Sequence, residues 1–279
     1  MKKILLLIIF SISFMKVSAC DCGSPLLALE FRESKHVFLG KVIEKKYSVD
    51  NESFKIVFEI IEHFKKGENP IFLEFNFETQ KELTSCDWKI NLNEKWVVFV
   101  KEFNGELTFS GVCSNSSRIL ENKYPTFVKK ISENWDNFNI DKFIFWELDG
   151  EFETSFPNLN LDSLINKYSK KNYGEEYGQN IANIIVDINR NGEVIQTVVN
   201  HVNKKEQTIK YDSIYHLQLY FPLKEFKPET EFQNDMINEV KKIKKWNPVL
   251  IQNTDISLPY RKYLQFQKFN DSIHRYYKN

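Results

Sequence analysis

Four cysteines carry most of the chemistry that this 279-residue sequence could do: Cys20, Cys22, Cys86 and Cys113. They follow a leader in which Met1-Lys2-Lys3 precedes an apolar run from Ile4 to Phe14 and then Val17-Ser18-Ala19-Cys20. A charged start, an apolar stretch of about 11 residues and small side chains before Cys20 predict a secretory signal over residues 1–19. Export places the cysteines in an oxidising compartment, where an even count favours two disulfides. Sequence alone leaves three pairings open. Val-Ser-Ala-Cys also passes as a loose lipoprotein box, with a lipid anchor on Cys20. Lipidation would strand one of the other three thiols, so parity favours cleavage after Ala19 with Cys20 as a free amino terminus. The leader is shorter than the roughly 20 apolar residues a membrane-crossing helix needs, and no later segment approaches that length. No transmembrane span is therefore expected.

The other reactive residues form no such pattern. His36, His63, His201, His216 and His274 show no metal-ligand spacing with cysteines or carboxylates, so no metal of the chain's own is expected. No nucleophile elbow, phosphate loop or dinucleotide fingerprint occurs, which leaves no implied cofactor and a non-enzymatic reading. Asn51, Asn115 and Asn270 stand in glycosylation triplets of a kind that arises by chance. Lys241, Lys242, Lys244 and Lys245 read as the solvated face of a helix. Equal numbers of basic and acidic side chains, 38 each, argue against a nucleic-acid partner, which would need a basic surplus.

Strands must position these residues for the most part. Alanine occurs only at positions 19, 28 and 182, while Phe, Ile, Val and Tyr abound, a bias toward strand over long helix. Strands are predicted from Val37 to Tyr47, from Phe54 to Ile61 by alternation, from Ile71 to Phe77 and from Trp96 to Val100. Asn104-Gly105 reads as a hairpin turn into a fifth strand, Leu107 to Val112. Five short strands joined by turns predict a small closed barrel of the OB type. Ser117 to Trp135 has helical spacing that Pro125 should split. After a soft boundary near 140–155, Leu161 to Ile165 reads as a short helix. Ile184–Asn189 and Glu193–Asn200 flank a turn at Arg190-Asn191-Gly192. Asp235 to Trp246 reads as an amphipathic helix closed by Pro248, and Leu258 to Phe269 as a strand. The expected fold class is mainly β followed by α+β, with units at 20–140 and 150–279.

The first unit resembles the netrin-like module of the tissue inhibitors of metalloproteinases. The matching pieces are Cys20-Asp21-Cys22, Val37-Phe38-Leu39-Gly40-Lys41-Val42 and Phe64-Lys65-Lys66-Gly67. They continue with Ser85-Cys86, Asn93-Glu94-Lys95-Trp96-Val97-Val98-Phe99 and Ser110-Gly111-Val112-Cys113-Ser114. Asn93 stands where the family usually has glycine, which a left-handed turn position tolerates. The resemblance implies an OB-like five-stranded barrel with disulfides Cys20–Cys86 and Cys22–Cys113. In the animal inhibitors the amino nitrogen and carbonyl oxygen of the first cysteine chelate a protease's catalytic zinc, whose open position accepts an amine. Carried over, Cys20 would chelate, Asp21 would enter the protease pocket and Cys22 would complete the inhibitory edge. A carboxylate is costly in an apolar pocket, so Asp21 weighs toward a scaffold that binds something else.

The second unit is similar to the carboxy-terminal domain of TonB-like proteins over about 155–270. Ile184 to Asn200, Val240 to Pro248, and Leu258-Pro259-Tyr260 leading to Phe266 carry the likeness. It implies a ββαβ domain that adds an extended peptide to a sheet edge. Together these readings predict an exported protein-binding protein that is periplasmic, outer-membrane-associated or extracellular. The alternatives are a metalloprotease inhibitor acting through Cys20 and a structural envelope lipoprotein.

Overall fold

The structure, a computed structural model, describes residues 25–79, 88–121, 123–146, 157, 160–174, 180–201, 209–251 and 254–277. They divide into two compact units at Trp135/Asp136, whereas the sequence reading drew the units at 20–140 and 150–279. The protein is mainly β with helices in both units.

The first unit opens with helix α1 (Leu27–Glu33), followed by β1 (His36–Tyr47), β2 (Ser53–His63) and β3 (Phe72–Glu78). β4 (Lys95–Phe103), β5 (Glu106–Thr108), β6 (Ser117–Arg118) and helix α2 (Lys123–Glu133) complete it. The strands form an antiparallel sheet in the order β3-β2-β1-β4-β5, with β6 also on β4, that curls into a half-barrel. Its concave side holds a phenylalanine-rich core in which Phe38, Phe58, Phe75 and Phe109 are all buried. Phe58 meets Phe38, Phe75 and Phe109 edge to face, the arrangement that aromatic quadrupoles prefer.

Three expectations for this unit need correction. The fifth strand ends at Thr108, and Phe109 turns into the core from outside it. Pro125 does not split the helix. It is the third residue of α2, inside the first turn, where the amide that proline lacks has no helical partner to lose. Residues 117–118, predicted as helix, pair with β4 instead.

The second unit contains β7 (Phe145–Trp146), α3 (Leu161–Asn166), β8 (Ile181–Ile188) and β9 (Val194–Val199). Helix α4 (Glu231–Val240) follows, then β10 (Val249–Leu250), β11 (Ser257–Leu258), β12 (Tyr260–Phe269) and β13 (Ser272–Tyr277). The sheet order is β13-β12-β8-β9, with β7 added parallel to β12, and α4 packs against β8 and β9. Gly192 makes the tight turn between β8 and β9 at φ +83°; a Cβ there would lie 2.1 Å from the Trp246 carbonyl oxygen. Helix α4 starts and stops earlier than the predicted 235–246. Thr230 caps it by accepting from the Gln233 amide at 3.1 Å, while the Gln233 side chain accepts from the Glu229 amide at 2.8 Å. Trp246 lies beyond the helix, fully buried. Pro259 divides the last predicted strand into β11 and β12, and β13 extends the sheet beyond it.

Candidate functional site

Cys20, Asp21, Cys22 and Cys86 lie outside the described residues. The structure describes the residues that follow Cys22 and Cys86 in the chain, from Pro25 and Trp88 onward. Helix α1 is only seven residues long and has no side-chain cap at its start. Ala28, Leu29 and Phe31 bury its apolar side chains, and Lys65 holds its end. The Lys65 ammonium donates to the carbonyls of Phe31 (3.0 Å), Arg32 (2.7 Å) and Ser34, satisfying oxygens that the helix leaves unpaired. Burial lowers the Lys65 pKa, against the nearby charge of Glu33. Within the Phe64-Lys65-Lys66-Gly67 motif, Phe64 is buried and its amide donates to the Val37 carbonyl. The motif therefore ties the end of β2 to both α1 and β1.

The loop after Cys113 closes on this helix. The Asn115 main-chain amide and side-chain amide both donate to Glu30 Oε2 at 2.7 Å. The Asn115 side chain also donates to the Pro25 carbonyl at 2.7 Å. From the other side, the Tyr124 hydroxyl donates to the Asn115 carbonyl at 2.6 Å. Ser116 Oγ accepts from the Phe99 amide and lies 2.9 Å from Ser114 Oγ, so β4 anchors the loop. Glu30 is only 1% exposed, and its Oε1 has no hydrogen-bond partner. Burial raises the Glu30 pKa, opposed by the polar groups of Ser114 and Asn115 and the charge of Lys101.

Two further points bear on the cysteines. Cys113 is in disulfide form, and no described cysteine is free. Gly111 is pressed against Trp88: a Cβ there would come within 2.4 Å of the indole ring. The residues flanking Cys86 and Cys113 are in this way packed together.

The remaining motif residues have structural roles. Asn93 takes φ +68°, the left-handed turn expected of a residue standing in for glycine. Glu94 accepts from Asn91, Arg118 and Trp96. Burial would raise its pKa, but these hydrogen bonds outweigh it and bring the carboxyl down to about 2. His63 meets the Pro70 carbonyl at 2.9 Å, His201 lies between Glu229 and the Lys227 carbonyl, and His274 meets Ser272. Among the described residues, no group of three or more His, Cys, Asp and Glu side chains is placed to hold a metal.

Sequence reasoning missed Glu30, Asn115 and Tyr124 as a joint. Asn115 carried only the signature of a glycosylation triplet, yet its amide is taken up inside the protein. Next to the joint, Arg118, Ile119, Leu120, Lys123, Tyr124 and Phe127 line an open cleft of about 470 Å³. In the second unit, Arg261 on β12 meets Asp187 on β8 at 2.6 and 2.8 Å, both fully or nearly buried. The edge strands of that sheet are β9 and β13. No described helix is long and apolar enough to cross a membrane. No protein-family model matches the chain, and no curated protein matches it.

Proposed function

We propose that this chain is an exported, non-enzymatic protein-binding protein of the bacterial envelope or exterior. A metalloproteinase-inhibitor-like barrel would present its mature amino-terminal edge, followed by a TonB-carboxy-terminus-like domain. The observation that carries the reading is the bond from Asn115 to Pro25. Pro25 is three residues past Cys22, and Asn115 is two past Cys113. Chain reach is about 3.5 Å per residue, so this bond is compatible with the Cys22–Cys113 pairing that the resemblance implies. Trp88 against Gly111 likewise supports bringing Cys86 into the same cluster, where Cys20 would meet it.

The strand order β3-β2-β1-β4-β5, with β3 and β5 approaching one another, suits a five-stranded OB barrel. In the second unit the order β9-β8-β12, backed by α4, suits the ββαβ reading, and its edge strands suit addition of a peptide strand. An amino-terminal edge fastened by crosslinks and by the Asn115 joint is preorganised, which favours binding because little ordering entropy remains to be lost.

Non-reducing peptide mapping of the exported protein tests the framework, with Cys20–Cys86 and Cys22–Cys113 as the expected links. A thioether-linked lipid on Cys20 would instead establish the envelope-lipoprotein reading. The same anchored edge also suits a zinc-chelating inhibitor. Assay of the mature chain against zinc endopeptidases, with and without one residue added before Cys20, separates the two. Inhibition that disappears on extension would install the inhibitor; absence of inhibition from both forms is expected from the Asp21 carboxylate.

A further inference from the structure

Glu30 is an unusual choice for fastening a binding edge. Its carboxyl is buried and receives two hydrogen bonds on one oxygen, while the other oxygen has no hydrogen-bond partner and no cation of the described residues is bonded to either. Among the described residues, the charged and titratable groups that act on it are Lys101 on β4, which is paired with Glu33 of α1 at 3.2 Å, and Tyr124 on α2. The loop contributes only the neutral Ser114, Asn115 and Ser116, beside the disulfide-bonded Cys113. Tyr124 stays protonated, since burial and the Glu30 charge push its hydroxyl upward.

We propose that the joint between Pro25 and Asn115 is a proton-controlled hold on the mature amino-terminal edge, firmest over a neutral Glu30 and released more readily once Glu30 ionises. The reason is linkage. Opening the joint exposes the carboxyl to water, which stabilises the ionised form far more than the closed pocket does. Opening therefore releases a proton, and its equilibrium constant rises with pH between the group's open and closed titrations. The rise is about tenfold for each pH unit separating them. The same edge that the proposed function assigns to partner binding would be held tightly in mildly acidic surroundings and more loosely in neutral ones. The biological purpose rests on that reading, whereas the proton linkage does not.

Hydrogen exchange at the Asn115 main-chain amide of the mature full-length chain tests this. After correction for the intrinsic acceleration of exchange with pH, protection of that amide should fall as pH rises from 4 to 8. In Glu30→Gln it should stay flat. Flat protection in the native chain, or the same slope in Glu30→Gln, overturns the proposal. Should Glu30→Gln not fold, carboxyl-carbon NMR of the native chain serves instead. Glu30 should titrate above the ordinary carboxylate range, with Asn115 protection turning at the same midpoint. An ordinary midpoint, or protection that ignores it, overturns the proposal. Peptide mapping of the cysteines reports nothing about Glu30, so the functional reading and this inference can each fail alone.

Discussion

Each unit buries a carboxylate, and the two are satisfied in opposite ways. Asp187 lies at the same register as Arg261 on the neighbouring strand, and the guanidinium grips both of its oxygens at 2.6 and 2.8 Å. The face of Trp146 lies 5.7 Å from the guanidinium carbon on a further side. Among the described residues, the hydrogen bonds to Glu30 Oε2 come from the neutral amides of Asn115, on a loop rather than a strand. Burial raises both pKa values; a bonded guanidinium pulls the Asp187 value back, whereas for Glu30 the Lys101 charge acts without a bond, behind the polar groups of Ser114 and Asn115. A charge pair locked into the register of a sheet cannot part unless the sheet opens. A carboxylate held by a loop can part locally, at a cost set by its own protonation. The first arrangement specifies a fold; the second can regulate a surface.

The largest expected effect falls on the pair. Arg261→Met leaves Asp187 buried and uncompensated, which should cost about 3 to 5 kcal/mol of the second unit's stability in chemical denaturation. Combining it with Asp187→Leu should recover most of that loss, because two apolar groups need no countercharge. A loss under about 1 kcal/mol from Arg261→Met alone would erase the contrast between the units.

Glu94 sharpens the contrast within the first unit, because its donors include Arg118 and it is depressed rather than raised. Its folded pKa of about 2 lies below the ordinary 4.5. Its contribution is thus complete above the ordinary value and lost as pH falls through 2. With solvent screening taken into account, Glu94→Gln should cost about 1 to 2 kcal/mol at pH 7. The cost should vanish near pH 2. Glu30 carries the reverse sign: its contribution is present below the ordinary carboxylate value and lost as pH rises through the folded one. Glu30→Gln should therefore gain stability relative to the native chain as pH rises from 4 to 8, and show no such gain near pH 4. Parallel pH profiles for the two variants would show that the partner's charge does not govern the sign.

Much of the fold could be read from local pattern. Alternation located β2 and apolar runs located β1 and β4, and the Asn104-Gly105 turn takes the positive φ angles that such a hairpin needs, +52° and +83°. What escaped depends on contacts distant in sequence. Helix α1 has no side-chain cap at its start, and at its end Lys65, more than thirty residues on, joins Ser34 in holding the last carbonyls. Thr230 and Gln233 did carry a capping signal, which would have started α4 correctly had it been weighed above the lysine-rich face. The candidate site was legible only as cysteines. Nothing local in Leu27-Ala28-Leu29-Glu30-Phe31 says that the acid faces inward, because the loop that receives it arrives 85 positions later.

The smallest expected effect isolates the neutral side of the joint. The Tyr124 hydroxyl donates to the Asn115 carbonyl without touching Glu30's oxygens, so Tyr124→Phe removes one neutral hydrogen bond and no charge. A bond of that kind contributes about 1 kcal/mol or less, and the partly buried carbonyl can be left to water. The loss should appear in the first unit and hold the same size from pH 4 to pH 8, since the phenol does not titrate there. A loss that grew with pH would mean that Tyr124 also screens the ionised Glu30. Hydroxyl and carboxyl would then act as one network rather than as separate fastenings on Asn115.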